Sequence, residues 1–276
     1  MEVMDAMDGE IRHIEPLDSP DPDMRADEIT YTSGKLLVKG CFVRPAEKKR
    51  WPPLMYLRGG IRNAGMVRLE RMITFAKRGY AVFAPYYRGN RGGEGREDFA
   101  GEDRYDAYNA LNVFRQLDDV QPGPVPLIGF SRGAVMALLA ARDCEEVGAV
   151  AVWGGVSDMW LTYEERVDLR RMMRRVVGHP RRTPEAYLSR SPVCWAQWIR
   201  PPVLIVHGME DEKVSVEHAF RLQRALTSAG RPPGMVLVEG MKHVFTPEED
   251  RKALDRIFDW FDAKIGSGRK GESPGE

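Results

Sequence analysis

Gly129-Phe130-Ser131-Arg132-Gly133 sets a serine between two glycines, at the end of the apolar run Val125 to Phe130 and ahead of an alanine-rich segment. A strand, a turn too tight for side chains at the glycine positions and then a helix would push the Ser131 hydroxyl out beyond the sheet edge. That context gives a G-x-S-x-G pattern its meaning. Serine is a poor nucleophile alone and needs a base within hydrogen-bond reach, with a third group to hold that base in the right tautomer. The chain has five histidines. His13 lies near the start, His179 falls in a segment without strands, and His218 falls in a helical pattern. His207 ends a strand-like run, where it is expected to hydrogen-bond within its own loop. His243, in Gly240-Met241-Lys242-His243-Val244, follows the last apolar run, and loops after parallel strands converge on one sheet edge. It is the expected general base. The third group should follow another strand on that edge, and three carboxylates, Glu210, Asp211 and Glu212, follow Val203 to Val206.

These residues need a scaffold of alternating strands and helices. Leu54 to Leu57, Ala81 to Ala84, Val125 to Phe130, Gly148 to Trp153, Val203 to Val206 and Met235 to Val238 are short apolar runs, as expected of strands covered on both faces. With a hairpin from Ile29 to Thr32 and Lys35 to Arg44, whose strands should lie at the sheet edge, they make about eight strands. Helical patterns fall near 66 to 78, 102 to 117, 132 to 142, 215 to 229 and 248 to 265. The class is α/β, with a mostly parallel sheet flanked by helices. From about 158 to 200 no strand appears. There Leu169, Met172, Met173, Val176 and Val177 repeat at helical spacing opposite Arg166, Arg170, Arg171, Arg174 and Arg175, which reads as a small helical cap inserted into the domain.

The domain is expected over 29 to 265, between an acidic arm at 1 to 28 and a flexible tail at 266 to 276. The arm carries ten acidic side chains against Arg12 and Arg25 and is expected to be disordered or laid over the surface. The whole chain holds 41 basic and 41 acidic residues, so nothing in its charge points to nucleic acid or a membrane surface. The basic cap face is either a solvated helix face, an attractor of anionic substrate or a dock for the acidic arm. Cys41, Cys144 and Cys194 lack the spacing of a zinc site or disulfide framework, and no histidine pair has metal-ligand spacing, so no metal is expected. Arg91-Gly92-Gly93-Glu94-Gly95-Arg96 lacks the features of a nucleotide loop. No cofactor is called for. Without a leader pattern or a run of ~20 apolar residues, the expected location is cytoplasmic.

Several stretches resemble the prolyl-oligopeptidase-like branch of the α/β-hydrolases, which includes S9-like peptidases and dienelactone-hydrolase-like enzymes. Pro202 to Val214 is similar to that branch's P-V-L-I-V-H-G-x-x-D-x-x-V, and so are Gly79 to Gly89, Gly101 to Asp106 and Ser191-Pro192. The likeness runs over roughly 50 to 265. It implies an α/β-hydrolase fold and puts Asp211 in the acid position, in the order Ser131, Asp211, His243. Acyl transfer also needs oxyanion donors. One is the backbone N–H of Arg132. The other is expected at Gly60, in Arg58-Gly59-Gly60-Ile61, which is similar to the branch's H-G-G-x with Arg58 in place of histidine. Arg58, Tyr86 and Trp153 are the candidate substrate contacts. Core packing is the competing role for Trp153, as for Trp160, Trp195 and Trp198.

The resulting expectation is a serine hydrolase cleaving an ester or amide through an acyl-enzyme, with a small-molecule ester or short peptide as substrate. Only about fifty residues precede the first core strand, leaving no room there for the propeller of the branch's oligopeptidases. That favours a carboxylesterase over a peptidase. A non-catalytic binding protein on the same fold is the alternative of another class. Either is compatible with a homo-oligomer.

Overall fold

A computed structural model describes residues 8–266. Nine strands form one sheet in the order β1-β2-β3-β5-β4-β6-β7-β8-β9. They are β1 (Ile11–Leu17), β2 (Met24–Ser33), β3 (Leu36–Pro45), β4 (Pro53–Leu57), β5 (Ala81–Pro85), β6 (Val125–Phe130), β7 (Val147–Trp153), β8 (Val203–Gly208) and β9 (Gly234–Val238). The first three pair antiparallel, β3 joins β5 antiparallel, and the rest of the sheet is parallel.

Between the strands run α1 (Leu69–Ala76), α2 (Arg104–Phe114), α3 (Gly133–Asp143), α7 (Glu217–Ser228) and α8 (Pro247–Ile265), with α4 (Met159–Glu165), α5 (Arg170–Val176) and α6 (Pro184–Ser189) grouped between β7 and β8. One core packs the sheet against α2, α3 and α7, and the other packs it against α1 and α8. Burial on both faces explains why β5 and β7 read as unbroken apolar runs instead of alternating ones. The alanine-rich α3 is buried along nearly its whole length, and its small side chains let it lie close to the sheet.

The chain leaves β4 for β5 on one side and later returns to β6 on the other. Loops after β4 and β6 therefore diverge, opening a crevice at the carboxyl ends of the strands, where ligands bind in open α/β sheets.

Two expectations need correction. The acidic segment does not stand apart as an arm. Ile11–Leu17 pairs with β2 in register from His13↔Thr30 to Leu17↔Ala26, adding a ninth strand. Its side chains between Ile11 and Leu17 are exposed, so it carries no apolar period, and backbone pairing with β2 recruits it, with Ile11 and Leu17 packing against the cores at its two ends. As a result β2 and β3 are interior strands, and β1 and β9 form the sheet edges. The hairpin turn is as expected, with Ser33 opposite Leu36 and Gly34 at φ +59°. The first seven residues, and residues 267–276 of the expected tail, lie outside the described residues.

The insertion after β7 is helical. Met173 and Val177 face inward as the spacing requires, while Arg171, Arg174 and Arg175 are exposed. Asp158 caps α4 by accepting from the N–H groups of Trp160 (2.9 Å) and Leu161 (3.2 Å), and Arg190 ties the insertion down through Nε to the Phe99 carbonyl at 2.9 Å. The described part of the acidic segment pairs at the β1–β2 edge and is not docked on the cap arginines.

Candidate active site

The turn from β6 into α3 holds Ser131 at φ +56°, a conformation that costs a non-glycine residue on the order of 1–3 kcal/mol and that surrounding structure must enforce. The Ser131 N–H donates to the Trp153 carbonyl at 3.0 Å, and its own carbonyl accepts from Val156 N–H at 3.1 Å. Glycine is required on both sides. A Cβ at Gly133 would lie 1.9 Å from the Leu57 carbonyl oxygen, and one at Gly129 would lie 2.5 Å from that of Gly133. The loop after β4 presses on the serine from the other side, where a Cβ at Gly59 would stand 2.7 Å from Ser131 Cβ and 3.3 Å from Oγ. Gly59 thus packs closely against Ser131. Gly60, at φ +67°, shapes the turn against Ala64.

His243 and Asp211 come from neighbouring loops. Asp211 Oδ2 accepts from His243 Nδ1 at 2.7 Å, and its Oδ1 accepts from the N–H groups of Lys213 (2.8 Å) and Val214 (2.9 Å). Burial alone would raise the Asp211 pKa, but the bond from His243 and the two backbone donors bring it below the usual value, so the carboxylate stays ionised. Glu210 and Glu212 are exposed, which separates them from Asp211. The loops can approach this closely because Gly208 has no side chain. A Cβ there would lie 2.2 Å from the Met241 carbonyl oxygen. The His243 ring rests on Phe130, the residue before Ser131, at 4.8 Å between centroids. Among the described residues it makes no hydrogen bond to Ser131, a looseness common before substrate tightens a site.

His207 lies beside the Asp211–His243 pair, its Nε2 3.5 Å from Asp211 Oδ2. His207 is buried with Nε2 2.8 Å from the Val214 carbonyl, within its own loop as expected. His218 is buried under the insertion, where its Nδ1 accepts from Ser157 N–H at 3.2 Å.

Arg58 and Arg132 carry buried charges that the sequence reading did not connect. Glu97 joins them, its Oε1 accepting from Arg58 Nη2 at 2.6 Å and from Arg132 Nη2 at 2.9 Å, while its Oε2 accepts from the Arg62 N–H. Arg132 Nη1 also meets Asp103 Oδ2 at 3.0 Å. Burial pulls the Arg132 pKa down, but Asp103 and Glu97 outweigh it and hold the guanidinium firmly charged. Arg58 was expected to touch substrate. It is instead fully buried, bonding Gly59 O at 2.9 Å and Tyr86 O at 3.0 Å, and so braces the loop beside Ser131. Tyr86 is likewise buried at 4% exposure and presents only its carbonyl to this network. Nothing in the spacing of Glu97 could have revealed it, since its three partners lie between 35 and 39 residues away.

Trp153 is buried in the core of the α1 and α8 face and lines a cavity of about 380 Å³ that also reaches His243 and Phe130. Trp195 is buried as well, whereas Trp198 is 58% exposed. Among the described residues no cluster of His, Cys, Asp or Glu could hold a metal ion, and no helix is long and apolar enough to cross a membrane.

A mostly parallel sheet with a switch point at β4, a strained serine between β6 and α3, and an Asp–His pair from later loops define an α/β-hydrolase. The chain belongs to the prolyl oligopeptidase family, whose sequence model matches residues 66–268. It is similar to the uncharacterized peptidase YtmA of Bacillus subtilis (strain 168), 45% identical over 244 residues that make up 88% of this chain and 95% of that protein. Among solved structures it is similar to an acylaminoacyl peptidase of Pyrococcus horikoshii, with a TM-score of 0.76 and 20% identity over 95% of this chain and 44% of that one. It also resembles an acetyl xylan esterase of Paenibacillus sp. R4, with a TM-score of 0.71 and 16% identity over 90% of this chain and 88% of that one. The chain therefore spans less than half of the acylaminoacyl peptidase it matches. Family and fold together make it a serine-type hydrolase acting on peptide or ester bonds.

Proposed function

We propose that this chain is a serine peptidase acting on short peptides, with Ser131 as nucleophile, His243 as general base and acid, and Asp211 as the group that holds the imidazole. The observation that carries the reading is the 2.7 Å bond between Asp211 Oδ2 and His243 Nδ1, formed beside the strained Ser131 turn. With Nδ1 protonated and engaged, Nε2 is left to take the hydroxyl proton as Oγ attacks the carbonyl carbon. The backbone N–H of Arg132 and an N–H of the Gly59-Gly60 loop would stabilise the oxyanion, and His243 would return its proton to the departing amine. Water then repeats the steps on the acyl-enzyme.

The 45% identity to a protein named a peptidase, spanning nearly all of it, supports peptides ahead of the carboxylesterase favoured from sequence. Activated esters would pass through the same steps. A fluorophosphonate probe, with p-nitrophenyl esters and aminoacyl-anilides run in parallel, tests the reading. Labelling at Ser131 that disappears in the Ser131→Ala and His243→Ala variants is expected, with turnover of the anilides. Equal labelling of the His243→Ala variant would refute the role given to His243, and no labelling of the native chain would leave a non-catalytic binding protein as the better account.

A further inference from the structure

The cavity beside His243 has walls of different character. Met66, Val244, Phe245 and Trp153 supply apolar surface, and Arg68 and Arg71 supply positive charge. Arg71 is already engaged, paired with Asp250 Oδ2 at 2.6 Å and lying over the Phe75 and Trp153 rings at 4.8 and 5.2 Å. Arg68, exposed at the start of α1, makes no ion pair among the described residues, so the Arg71–Asp250 pair leaves its charge as the surplus in the cavity. That charge reaches inward. Burial raises the Tyr56 phenol, and Arg71 and Arg68 both act against that rise. The indole N–H of Trp153, itself buried, has no hydrogen-bond partner among the described residues.

The cavity is lined by Phe130, the residue before Ser131, and by His243. One rim is Gly65, where a Cβ would lie 2.9 Å from the carbonyl oxygen of Gly59, the residue pressed against the nucleophile. His243, the group that in the proposed mechanism hands its proton to the departing atom, lines the same cavity. The inserted helices pack on the other side of the sheet, where Trp160, Tyr163 and Met173 join the core of α2, α3 and α7.

We infer that this cavity receives the leaving group, and that Arg68 selects leaving groups carrying a carboxylate, as in a short peptide whose last residue is apolar and ends in a free α-carboxylate. This rests on the proposed roles of Ser131 and His243. About 380 Å³ is near the small end of ligand pockets, suited to a short segment rather than a folded chain.

The test compares 4-acetoxybenzoate with methyl 4-acetoxybenzoate, each kcat/KM divided by its hydroxide-catalysed rate, beside Ala-Ala-Phe and its C-terminal amide. The native chain should favour the carboxylate of each pair by roughly 10- to 100-fold, the range of a charge-assisted hydrogen bond. Arg68→Gln should bring both ratios close to one, and Arg68→Lys should keep part of the preference. Ratios near one in the native chain, or unchanged in Arg68→Gln, would overturn the inference. Calorimetry on a Ser131→Ala variant reads the cavity without turnover. Tighter binding of 4-hydroxybenzoate than of its methyl ester supports the inference, and equal binding refutes it. Failure of the catalytic reading looks different, because the native chain would then hydrolyse neither ester faster than Ser131→Ala does.

Discussion

Replacing Glu97 by alanine removes one carboxylate from between two buried guanidinium groups. Arg58 and Arg132 are 0% and 1% exposed, and Glu97 touches both while also accepting the Arg62 N–H. Without it, Arg132 keeps Asp103 at 3.0 Å, a carboxyl that burial pushes up to about 7, and Arg58 keeps only carbonyl acceptors, so two positive charges face each other with little negative charge to offset them. Taking one partner from a buried ion pair costs about 3–5 kcal/mol, because the remaining charge stays desolvated. That is a large share of the ~5–15 kcal/mol by which most domains are stable. The loss should also reach the chemistry, since Arg132 follows Ser131, the proposed nucleophile, and Arg58 leads the loop that packs against it. Displacing one oxyanion donor costs about 10²–10³ in kcat. Urea unfolding followed by circular dichroism, with kcat and KM measured where the variant remains folded, checks both parts. The expected result is a stability loss in that range and a fall in kcat with KM little changed. Glu97→Gln, which keeps an acceptor and the volume, should lose less on both counts. A loss below about 1 kcal/mol with native kcat would refute the claim that this carboxylate ties the two halves of the site together.

Asp211→Asn should keep the fold but lower kcat by roughly 10⁴, since an amide no longer fixes the His243 tautomer or stabilises its cation; steady-state kinetics beside a thermal melt separates the two effects. Gly59→Ala would set a Cβ 2.7 Å from Ser131 Cβ and 3.0 Å from the Phe130 carbonyl oxygen, so activity should fall at least about tenfold and stability by about 1–3 kcal/mol, read by kinetics and denaturation. His218 is held near pKa 4 by burial, below its ordinary 6.5, and its Nδ1 accepts a backbone N–H that a protonated ring would repel. Its stabilising contribution is therefore present above pH 6.5 and is lost as the pH falls toward 4. The size is on the order of 3 kcal/mol, and His218→Gln should flatten the unfolding free energy across that window.

The local parts of this design were legible because each has a local cause. The Ser131 turn, the apolar runs of β4 to β9 and the helical face of Met173 and Val177 follow from tight glycine spacing or burial periodicity. Asp211 was picked from three carboxylates by resemblance, and the structure separates it by burial and by the backbone donors of Lys213 and Val214. Three features escaped. Strand β1 has no apolar alternation because backbone pairing holds it and only its end residues, Ile11 and Leu17, turn toward the cores. Glu97 acts through partners far away in sequence, and its type and neighbours look like any solvated acidic residue. Arg58 sits where a substrate contact was expected, yet its charge is spent inside the protein, and only the path of the loop between β5 and α2 could reveal that.

The outermost strand also bears on how copies of this chain meet. A sheet rim offers unpaired N–H and C=O groups to any extended segment that comes alongside. Strand β1 crowds that rim with Arg12, His13 and Glu15, all exposed, and interrupts its row of donors at Pro16, which has no N–H to give. A second molecule laying a strand there would have to strip water from these polar side chains and would meet a gap in the ladder. Strand β1 thus makes that side of the sheet a poor template for further pairing.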